Sequence, residues 1–508
     1  MEHTFKTIPD EILKDLSKRD LLTLLQGEQS IRQQLESFIT DLKERYKDLE
    51  EQKMEVEGKF IRLKKRIFSP KSEKSRKPIK KDKPKKKKKI RKTCKRLPSE
   101  RYPNIPVEEV EIELLDNPEC DACGGEMTDS GMKEASETFT VIPKRYIVTR
   151  SFRKKYRCPC CHGSIVTTPP VPRIVPKSSY SDEMVIDVAM SKFCDLIPIE
   201  RYCKMAFRGS GIELPPNSLI GLTHKLADFL EPIYKEGLFQ EVTNELVLRA
   251  DETTHNMLEG DEKKNWFLWG FSSSKAVYFE LHNTRSGSVA SNILIEANSE
   301  YLLSDVYSGY SKAIKEANIQ RTELDKKPIE QAFCNAHARR KFVEVDAIEA
   351  EYYVSQYRRL YKLHKYGFTC DEEKKVRIWN ICQKIFSKMR GRAENDIENV
   401  SKHSGLAKAI NYFIKNYEGL AKFLLVSEIP IDNNAQERAF RSPVVGRKTW
   451  SGTHSKRGAK TTAILFSISE SCKMLGVNPR EYVQNVVRLI HAGRKWLTPA
   501  QYLETQQK

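Results

Sequence analysis

Apolar residues recur at every seventh position near the amino terminus, in a segment otherwise rich in Glu, Lys and Arg. The residues of this repeat are Leu35, Leu42, Leu49, Val56 and Leu63. Such spacing places them along one face of a helix and is typical of a coiled coil. Residues 1–68 are therefore predicted to be a helical, coiled-coil region. It forms either a seam for self-association or half of an intramolecular hairpin with residues 9–26.

Shorter alternating patterns begin at about residue 241 and predict a sheet. The predicted strands are 245–251, 266–269, 276–280, 300–305 and 331–335. The first three follow one another closely, as in an antiparallel meander, whereas the later ones are separated by helical patterns such as 289–297. This order predicts an RNase H-like α/β core, in which the first and fourth strands lie side by side.

Helical periodicity dominates residues 176–240, with a break at Gly209-Ser-Gly211. A helix, a glycine turn and a second helix outline a helix-turn-helix, so this segment is predicted to be a helical DNA-binding domain. Residues 349–425 are also rich in helical pattern. Residues 241–348 and 426–508 then supply the two parts of the core, the second with carboxyl-terminal helices. The predicted fold class is multidomain α+β.

The formal net charge of +19 is concentrated in one short segment. Residues 71–96 hold sixteen Lys or Arg against Glu73 and Asp82, a net charge of +14. A lysine run interrupted by prolines buries too little apolar surface to fold, so residues 69–100 are predicted to be a disordered arm. The arm is interpreted either as attracted to nucleic-acid phosphates or as a solvated linker, and the two interpretations are compatible.

No apolar stretch reaches the roughly twenty residues that cross a bilayer, and charges interrupt the first eighteen residues, unlike a signal peptide. The chain is therefore expected in the cytoplasm, without a membrane partner. Thiols stay reduced there, so the twelve cysteines are interpreted as metal ligands or core residues rather than as disulfides.

Four of these cysteines form two pairs with the spacing of zinc ligands. The pairs are Cys120 with Cys123, and Cys158 with Cys161. Two knuckles of this kind close a tetrahedral Zn²⁺ site, and four thiolates leave no open position, so the zinc is interpreted as structural. Residues 101–175 are predicted to be a zinc-ribbon domain with strands at 139–142 and 145–150, and Cys160 is a spare thiol that competes with its neighbours.

Three acidic residues occupy the positions that a metal-dependent phosphoryl transfer needs. Asp251 ends the first predicted strand of the core, and Asp305 ends the fourth. Glu437 lies in the first turns of a later helix, which Asn433 or Asn434 is expected to cap. Three converging carboxylates require a cation, so the prediction is a site for Mg²⁺ (or Mn²⁺) that activates a water or a DNA 3′-hydroxyl.

From the zinc knuckles to the carboxyl terminus, the chain resembles the transposases of the insertion-sequence-66 family. The matching motifs are the four-cysteine ribbon, Ala250-Asp251-Glu252-Thr253, Ser304-Asp305 with Gly309-Tyr310, Cys334-Asn-Ala-His337 with Ala-Arg339-Arg340-Lys341, and Ile431-Asp-Asn-Asn-Ala-Gln-Glu437-Arg438 continuing to Arg457-Gly458. The resemblance implies a catalytic DDE triad of Asp251, Asp305 and Glu437. It also implies action on the terminal inverted repeats of a mobile element, and a helical insertion at 349–425.

Basic residues near the three acids are candidates for contact with DNA, because the substrate is a polyanion. They are Arg339, Arg340, Lys341, Arg447, Lys448, Lys456 and Arg457. His337 and His454 are interpreted either as phosphate or metal contacts or as structural hydrogen-bonding groups.

The predicted function is that of a DNA transposase, acting at the bacterial nucleoid on double-stranded DNA that includes inverted repeats and target. The predicted partners are a second copy of the chain, as a homodimer or higher oligomer, and by resemblance small accessory proteins of the same element. One alternative is a catalytically silent zinc-ribbon and helix-turn-helix DNA-binding protein. Another is an RNase H-like nuclease acting on RNA in hybrids.

Overall fold

The computed structural model describes residues 17–68, 97–103, 105–110, 121–127, 136–138, 140–141, 144–160, 165–259, 263–367 and 369–507. Contacts divide the chain into two compact units. One comprises 1–69, 153–205 and 213–508, and the other comprises 70–152 and 206–212. Of the lysine-rich segment predicted as an arm, residues 69–96 lie outside the described residues. Its last residues, 98–100, belong to a short helix, α2 (Pro98–Arg101).

A five-stranded mixed sheet forms the centre of the larger unit. Its strands are β3 (Val247–Asn256), β4 (Asn265–Ser272), β5 (Val277–His282), β6 (Tyr301–Ser304) and β7 (Glu330–Phe333). They lie in the order β5-β4-β3-β6-β7, with the β3–β4 and β4–β5 pairs antiparallel and the β3–β6 and β6–β7 pairs parallel. This is the strand order that the alternating sequence pattern predicts, with the first and fourth strands of the sheet adjacent.

Helices cover both faces of this sheet. The elements between and before the strands are α3 (Asp182–Phe193), α4 (Ile199–Ser210), α5 (Pro216–Pro232), a π-helix (Ile233–Leu238), α6 (Phe239–Thr243), α7 (Ser288–Glu296), α8 (Ser308–Glu323) and α9 (Asn335–Val343). Those after the strands are α10 (Ile348–Gly367), α11 (Glu372–Asn399), α12 (Gly405–Lys415), α13 (Tyr417–Leu425), α14 (Asn434–Ala439), α15 (Arg441–Trp450), α16 (Lys456–Met474), α17 (Pro479–His491) and α18 (Pro499–Gln506). The mixture of helix and sheet agrees with the predicted α+β class.

One face of the sheet shares its core with helices from both ends of the unit. Leu248 and Leu302 point to this face and belong to the same buried apolar cluster as residues of α3, α5, α16 and α17. Helix α16 also lies along the edge strand β5, where Ser471 Oγ accepts the Val277 N–H (2.9 Å) and Ser467 Oγ accepts the Phe279 N–H (2.8 Å). These serines satisfy amide groups that an edge strand otherwise leaves unpaired.

The opposite face of the sheet packs against the all-helical segment α10–α13. Val247 and Leu303 point to this face, since side chains alternate along a strand, and they share a second apolar cluster with α9 to α13. The aromatic rings of Tyr353, Phe386 and Phe413 are fully buried in this cluster. The helical segment thus covers the sheet on the side toward which odd-numbered residues of β3 and β6 project.

A single continuous helix, α1 (Lys18–Phe68), occupies the amino-terminal segment. The hairpin interpretation is wrong for residues 18–26, because they extend the same helix instead of folding back on it. Leu35, Leu42, Leu49 and Val56 are all exposed, with 49–65% of each residue accessible. These four residues of the predicted coiled-coil seam therefore form an apolar stripe that faces solvent.

The cysteine-rich region is described only in parts. Cys120 and Cys161 lie outside the described residues, so the four-cysteine site stays a prediction. The strand expected at 145–150 is wrong: these residues form no ladder, and Ile147 and Val148 are exposed. A two-stranded antiparallel ladder instead joins β1 (Lys155–Arg157) to β2 (Ile165–Thr167), on either side of the second cysteine knuckle.

Candidate active site

Asp251 and Asp305 lie on neighbouring parallel strands. Asp251 is within β3, and Asp305 directly follows the last residue of β6. The register pairs Arg249 with Leu303, so the same alignment two residues further places Asp251 opposite Asp305. The Asp305 carboxylate lies close enough to act electrostatically on Asp251. The parallel pairing of β3 and β6 therefore brings these two acids into the same region.

Glu437 reaches the same region from α14, and a buried asparagine holds that helix in place. Asn433 precedes α14 and donates from Nδ2 to the Ala250 carbonyl oxygen (2.9 Å), one residue before Asp251. Asn433 occupies the N-cap position of this helix, as expected, but its side chain makes no capping hydrogen bond. Instead, the Asn433 side chain ties the Glu437 helix to the strand that carries Asp251.

The three carboxylates interact electrostatically. Burial raises the pKa of Asp251 to about 7, and the carboxylates of Glu252, Asp305 and Glu437 act in the same direction. A hydrogen bond from the Glu252 N–H to Asp251 Oδ1 (2.9 Å) acts against them. Asp305 Oδ1 accepts the Tyr307 N–H (3.0 Å), which fixes this carboxylate at the strand end. The cluster is a region of concentrated negative charge in a partly desolvated position.

These carboxylates fit a hard divalent cation. All three donors are oxygens, the ligand type that Mg²⁺ and Mn²⁺ prefer. Burial first, and then repulsion from the neighbouring carboxylates, raises the pKa of Asp251, and a bound cation relieves both costs. Asp251, Asp305 and Glu437 are therefore suitable residues to hold such an ion.

Without added Mg²⁺, stability should fall as pH rises through this region. The Asp251 pKa is raised from 3.8 to about 7, so the folded protein keeps a proton that the unfolded chain releases between these values. This difference in pKa corresponds to at most about 4 kcal/mol of folding stability, which is lost between pH ~4 and ~7. Asp251→Asn removes the charge, and the variant should exceed the parent in free energy of unfolding at pH 8 but not at pH 4.

Urea denaturation at both pH values measures this difference. Added Mg²⁺ serves as the internal control, because it should stabilise the parent at pH 8 and have little effect on Asp251→Asn. Equal stability of parent and variant at pH 8 without Mg²⁺ would contradict the electrostatic account.

A buried acid next to Asp251 forms a second polar group that the sequence interpretation did not include. The Glu252 side chain is only 3% exposed, pairs with Arg285 Nη2 (2.6 Å) and accepts a hydrogen bond from the Tyr310 hydroxyl. The Arg285 guanidinium also lies 4.2 Å from the centroid of the Tyr307 ring. Glu252 and Tyr310 stand within recognisable motifs, but Arg285 lies in a loop that has no periodic signal.

Among the predicted DNA-contacting residues, Arg340 lies beside one of the three acids and Arg447 contacts strand β3. Arg340 on α9 places Nη2 4.0 Å from Glu437 Oε2, with Arg339 and Lys341 as its neighbours in the chain. Arg447 donates from Nη1 to Thr254 Oγ1 (2.9 Å), three residues beyond Asp251 on β3. A positive side chain thus approaches Glu437 from α9, whereas Arg447 of α15 contacts β3 beyond Asp251.

The remaining candidates lie elsewhere. Arg457, at the start of α16, pairs with Asp228 of α5 (3.1 Å), whereas Lys448 and Lys456 are exposed. His454 pairs with Glu259 (3.3 Å), and both side chains are exposed. The structure does not place Arg457 or His454 in contact with the three acids.

Two family models match this chain. One described as "Transposase IS66 family" matches residues 177–461, more than half of the sequence, and its range includes the three acids. One described as "zinc-finger binding domain of transposase IS66" matches residues 117–162, a range that includes all four paired cysteines. The second match supports a structural zinc in that region.

Similar proteins occur in Sinorhizobium fredii (strain NBRC 101917 / NGR234). The uncharacterized protein y4jD is 26% identical over 391 residues, which cover 74% of this chain and 75% of the relative. The uncharacterized protein y4hP is 25% identical over 399 residues, 73% of this chain and 70% of the relative. Among the described helices, none combines the length and apolar character needed to cross a bilayer.

Proposed function

Since this chain belongs to the IS66 family of transposases, we propose that it cleaves DNA at the terminal inverted repeats of a mobile element and joins the freed ends to target DNA. The observation that carries the proposal is the convergence of Asp251, Asp305 and Glu437 beside the central strand β3. The strand order supports an RNase H-like core around them, interrupted by the helical segment α10–α13 before Glu437.

The proposed chemistry is hydrolysis that frees a 3′-hydroxyl, followed by direct attack of that hydroxyl on a target phosphodiester. Mg²⁺ or Mn²⁺ bound by Asp251, Asp305 and Glu437 supplies activation of the attacking oxygen and stabilisation of the leaving oxygen. Strand register sets the spacing of the first two acids, and Asn433 holds the third against them. Arg340 offers positive charge to the phosphate that gains negative charge during the reaction.

Several surfaces suit contact with DNA or with a second copy. Helix α4 exposes Arg201, Lys204 and Arg208 at a spacing that places them on one face, which supports a DNA-binding role for the predicted helix-turn-helix. The exposed seam of α1 supports self-association as a coiled coil. We also propose that small accessory proteins of the same element are partners of this chain, and that it acts at the bacterial nucleoid.

The zinc ribbon is expected to hold Zn²⁺ through Cys120, Cys123, Cys158 and Cys161. Replacing Cys120 or Cys161 by Ser should release about one equivalent of zinc and unfold the ribbon, because a small domain of this kind depends on its metal for folding. Metal analysis of the purified protein together with limited proteolysis measures both effects. A Cys160→Ser variant serves as the matched control and should keep its zinc. A metal-free variant with an intact ribbon would contradict the assignment.

The proposed function is tested by cleavage of a labelled duplex that carries the element's inverted repeat. The parent chain, with any accessory proteins supplied, should cut at the repeat end only when Mg²⁺ or Mn²⁺ is present. Binding of the repeat without cleavage under all these conditions would instead favour a catalytically silent DNA-binding protein.

A further inference from the structure

A cysteine and a histidine lie beside Glu437 in an arrangement that three carboxylates do not explain. One potential ligand atom from each of Cys334, His337 and Glu437 lies within 4.8 Å of the other two. Within the described part of the chain, no other three His, Cys, Asp or Glu residues meet this criterion. The group thus combines a thiol, an imidazole and a carboxylate, which differs in chemistry from the all-oxygen set around Asp251.

The histidine and the glutamate are spaced for a shared ion rather than for a hydrogen bond. His337 Nε2 lies 3.8 Å from Glu437 Oε1, beyond the range of about 2.7–3.2 Å for a hydrogen bond. Two metal–ligand bonds of about 2.1 Å span up to ~4.2 Å, so a cation fits between them. His337 Nδ1 and Glu437 Oε1 are both buried atoms without a hydrogen-bond partner among the described residues.

Cys334 is held in place by backbone amides. It lies directly between β7 and α9. Its Sγ accepts a hydrogen bond from the Asn433 N–H (3.2 Å) and further hydrogen bonds from the backbone N–H groups of Ala336 and His337. Burial raises the pKa of the thiol to about 12, so it stays protonated until a metal displaces the proton. Outer hydrogen bonds of this type orient the ligands of protein metal sites.

The two chain segments that carry these ligands are also tied to each other. The Asn335 N–H donates to the Ile431 carbonyl oxygen (3.1 Å), next to the bond between Asn433 and Cys334. Cys334 and His337 are separated by two residues at the start of α9, a spacing that places both side chains near the same helix end. The side chains of His337 and Glu437 are 31% and 30% exposed, which leaves an approach for an ion and for water.

We propose that Cys334, His337 and Glu437 form a binding site for a thiophilic divalent cation of the Zn²⁺ class, with water as the fourth ligand. Thiolate and imidazole favour Zn²⁺ over Mg²⁺, and three protein ligands leave one position open. On binding, a metal–sulfur bond forms and the thiol proton passes to solvent. Because Glu437 is shared, an ion here withdraws that carboxylate from Asp251 and Asp305, and should inhibit Mg²⁺-dependent cleavage. The inhibition rests on the proposed function, whereas the binding site does not.

Cobalt titration tests the binding site directly. The full-length chain, with its ribbon already holding Zn²⁺, is titrated with Co²⁺ while the sulfur-to-cobalt charge-transfer absorption is recorded. The parent should bind one further equivalent with such a band, and Cys334→Ser should lose the band. Cys382→Ser, which removes another buried thiol outside the cluster, is the matched control and should behave like the parent. His337→Asn, at a partly exposed position, should weaken binding about tenfold or more.

The same variants separate binding from inhibition. Zn²⁺ added to the Mg²⁺-dependent cleavage assay should inhibit the parent and Cys382→Ser, but should inhibit Cys334→Ser much less, each relative to its own zinc-free rate. Unchanged Co²⁺ binding in both Cys334→Ser and His337→Asn would overturn the site. Binding that is lost in these variants, with no zinc inhibition of the parent, would overturn the link to Glu437. A parent that binds Co²⁺ but never cleaves DNA would refute the proposed function and leave the site intact.

Discussion

Asp305→Ala is expected to lower Mg²⁺-dependent strand cleavage by about 10³-fold or more while the protein still binds the inverted repeat. Asp305 lies directly after β6, opposite Asp251, and its carboxylate is fixed by the Tyr307 N–H. Alanine removes one of three carboxylates suited to hold the cation and leaves the strand itself intact. Cleavage of a labelled duplex and gel-shift binding of the same duplex measure the two properties separately.

Glu300→Gln is the matched control for this experiment. Glu300 lies just before β6, at the other end of the same strand, and pairs on the surface with Lys327 (2.6 Å). Loss of an exposed pair of this kind changes stability by less than about 1 kcal/mol, so cleavage should stay near the parent rate. Cleavage by Asp305→Ala at the parent rate would show that the three acids are not the catalytic group. Loss of repeat binding together with cleavage would point to a structural role for Asp305.

Arg321→Met is expected to lower the free energy of unfolding by about 3–5 kcal/mol. The Arg321 side chain is buried in α8 and donates to four backbone carbonyl oxygens. The acceptors are Lys327 (2.8 Å), Leu294 (2.7 Å), Ala297 and Ser299 (3.1 Å). Methionine fills a similar volume but leaves these carbonyl groups without a donor. Two of them belong to the end of α7, where a positive charge also offsets the helix dipole.

Chemical denaturation followed by circular dichroism measures this loss. The matched control is Arg358→Met, at an exposed arginine of α10 that pairs with Glu351 (3.6 Å), and it should change stability by about 0.5 kcal/mol or less. Because Arg321 holds the segment that leads into β6, the variant should also lose cleavage activity at temperatures where it begins to unfold. A stability equal to that of the control would mean that the four carbonyl groups find other donors.

The placement of Asp251 and Asp305 illustrates how much of the candidate site local sequence predicts. Both residues end alternating apolar segments, and the order of those segments predicts neighbouring strands, as β3 and β6 are. Glu437 is predictable as an early residue of a helix. Its approach to Asp251 is not, because it depends on a hydrogen bond from Asn433 to Ala250, residues that are 183 positions apart.

Arg321, Arg285 and Cys334 show what the sequence does not reveal. A buried arginine and an exposed one have the same local pattern, and only the carbonyl groups around Arg321 distinguish it. Arg285 is held by an ion pair with Glu252, and Cys334 by a hydrogen bond from the Asn433 N–H. Both contacts join segments that are far apart in the chain. No periodicity in the chain encodes such pairs, since they form only when the sheet and helices pack.

By itself, the sequence determined the number and order of the core strands and the helical character of the segments around them, because strand and helix periodicities are local properties of the chain. Tertiary structure alone decided that α3 and α5 share one apolar core with the sheet. It also decided which face of β3 meets the helical segment α10–α13, and that a thiol and an imidazole lie beside Glu437. These outcomes follow from burial and hydrogen bonding between residues far apart in the chain.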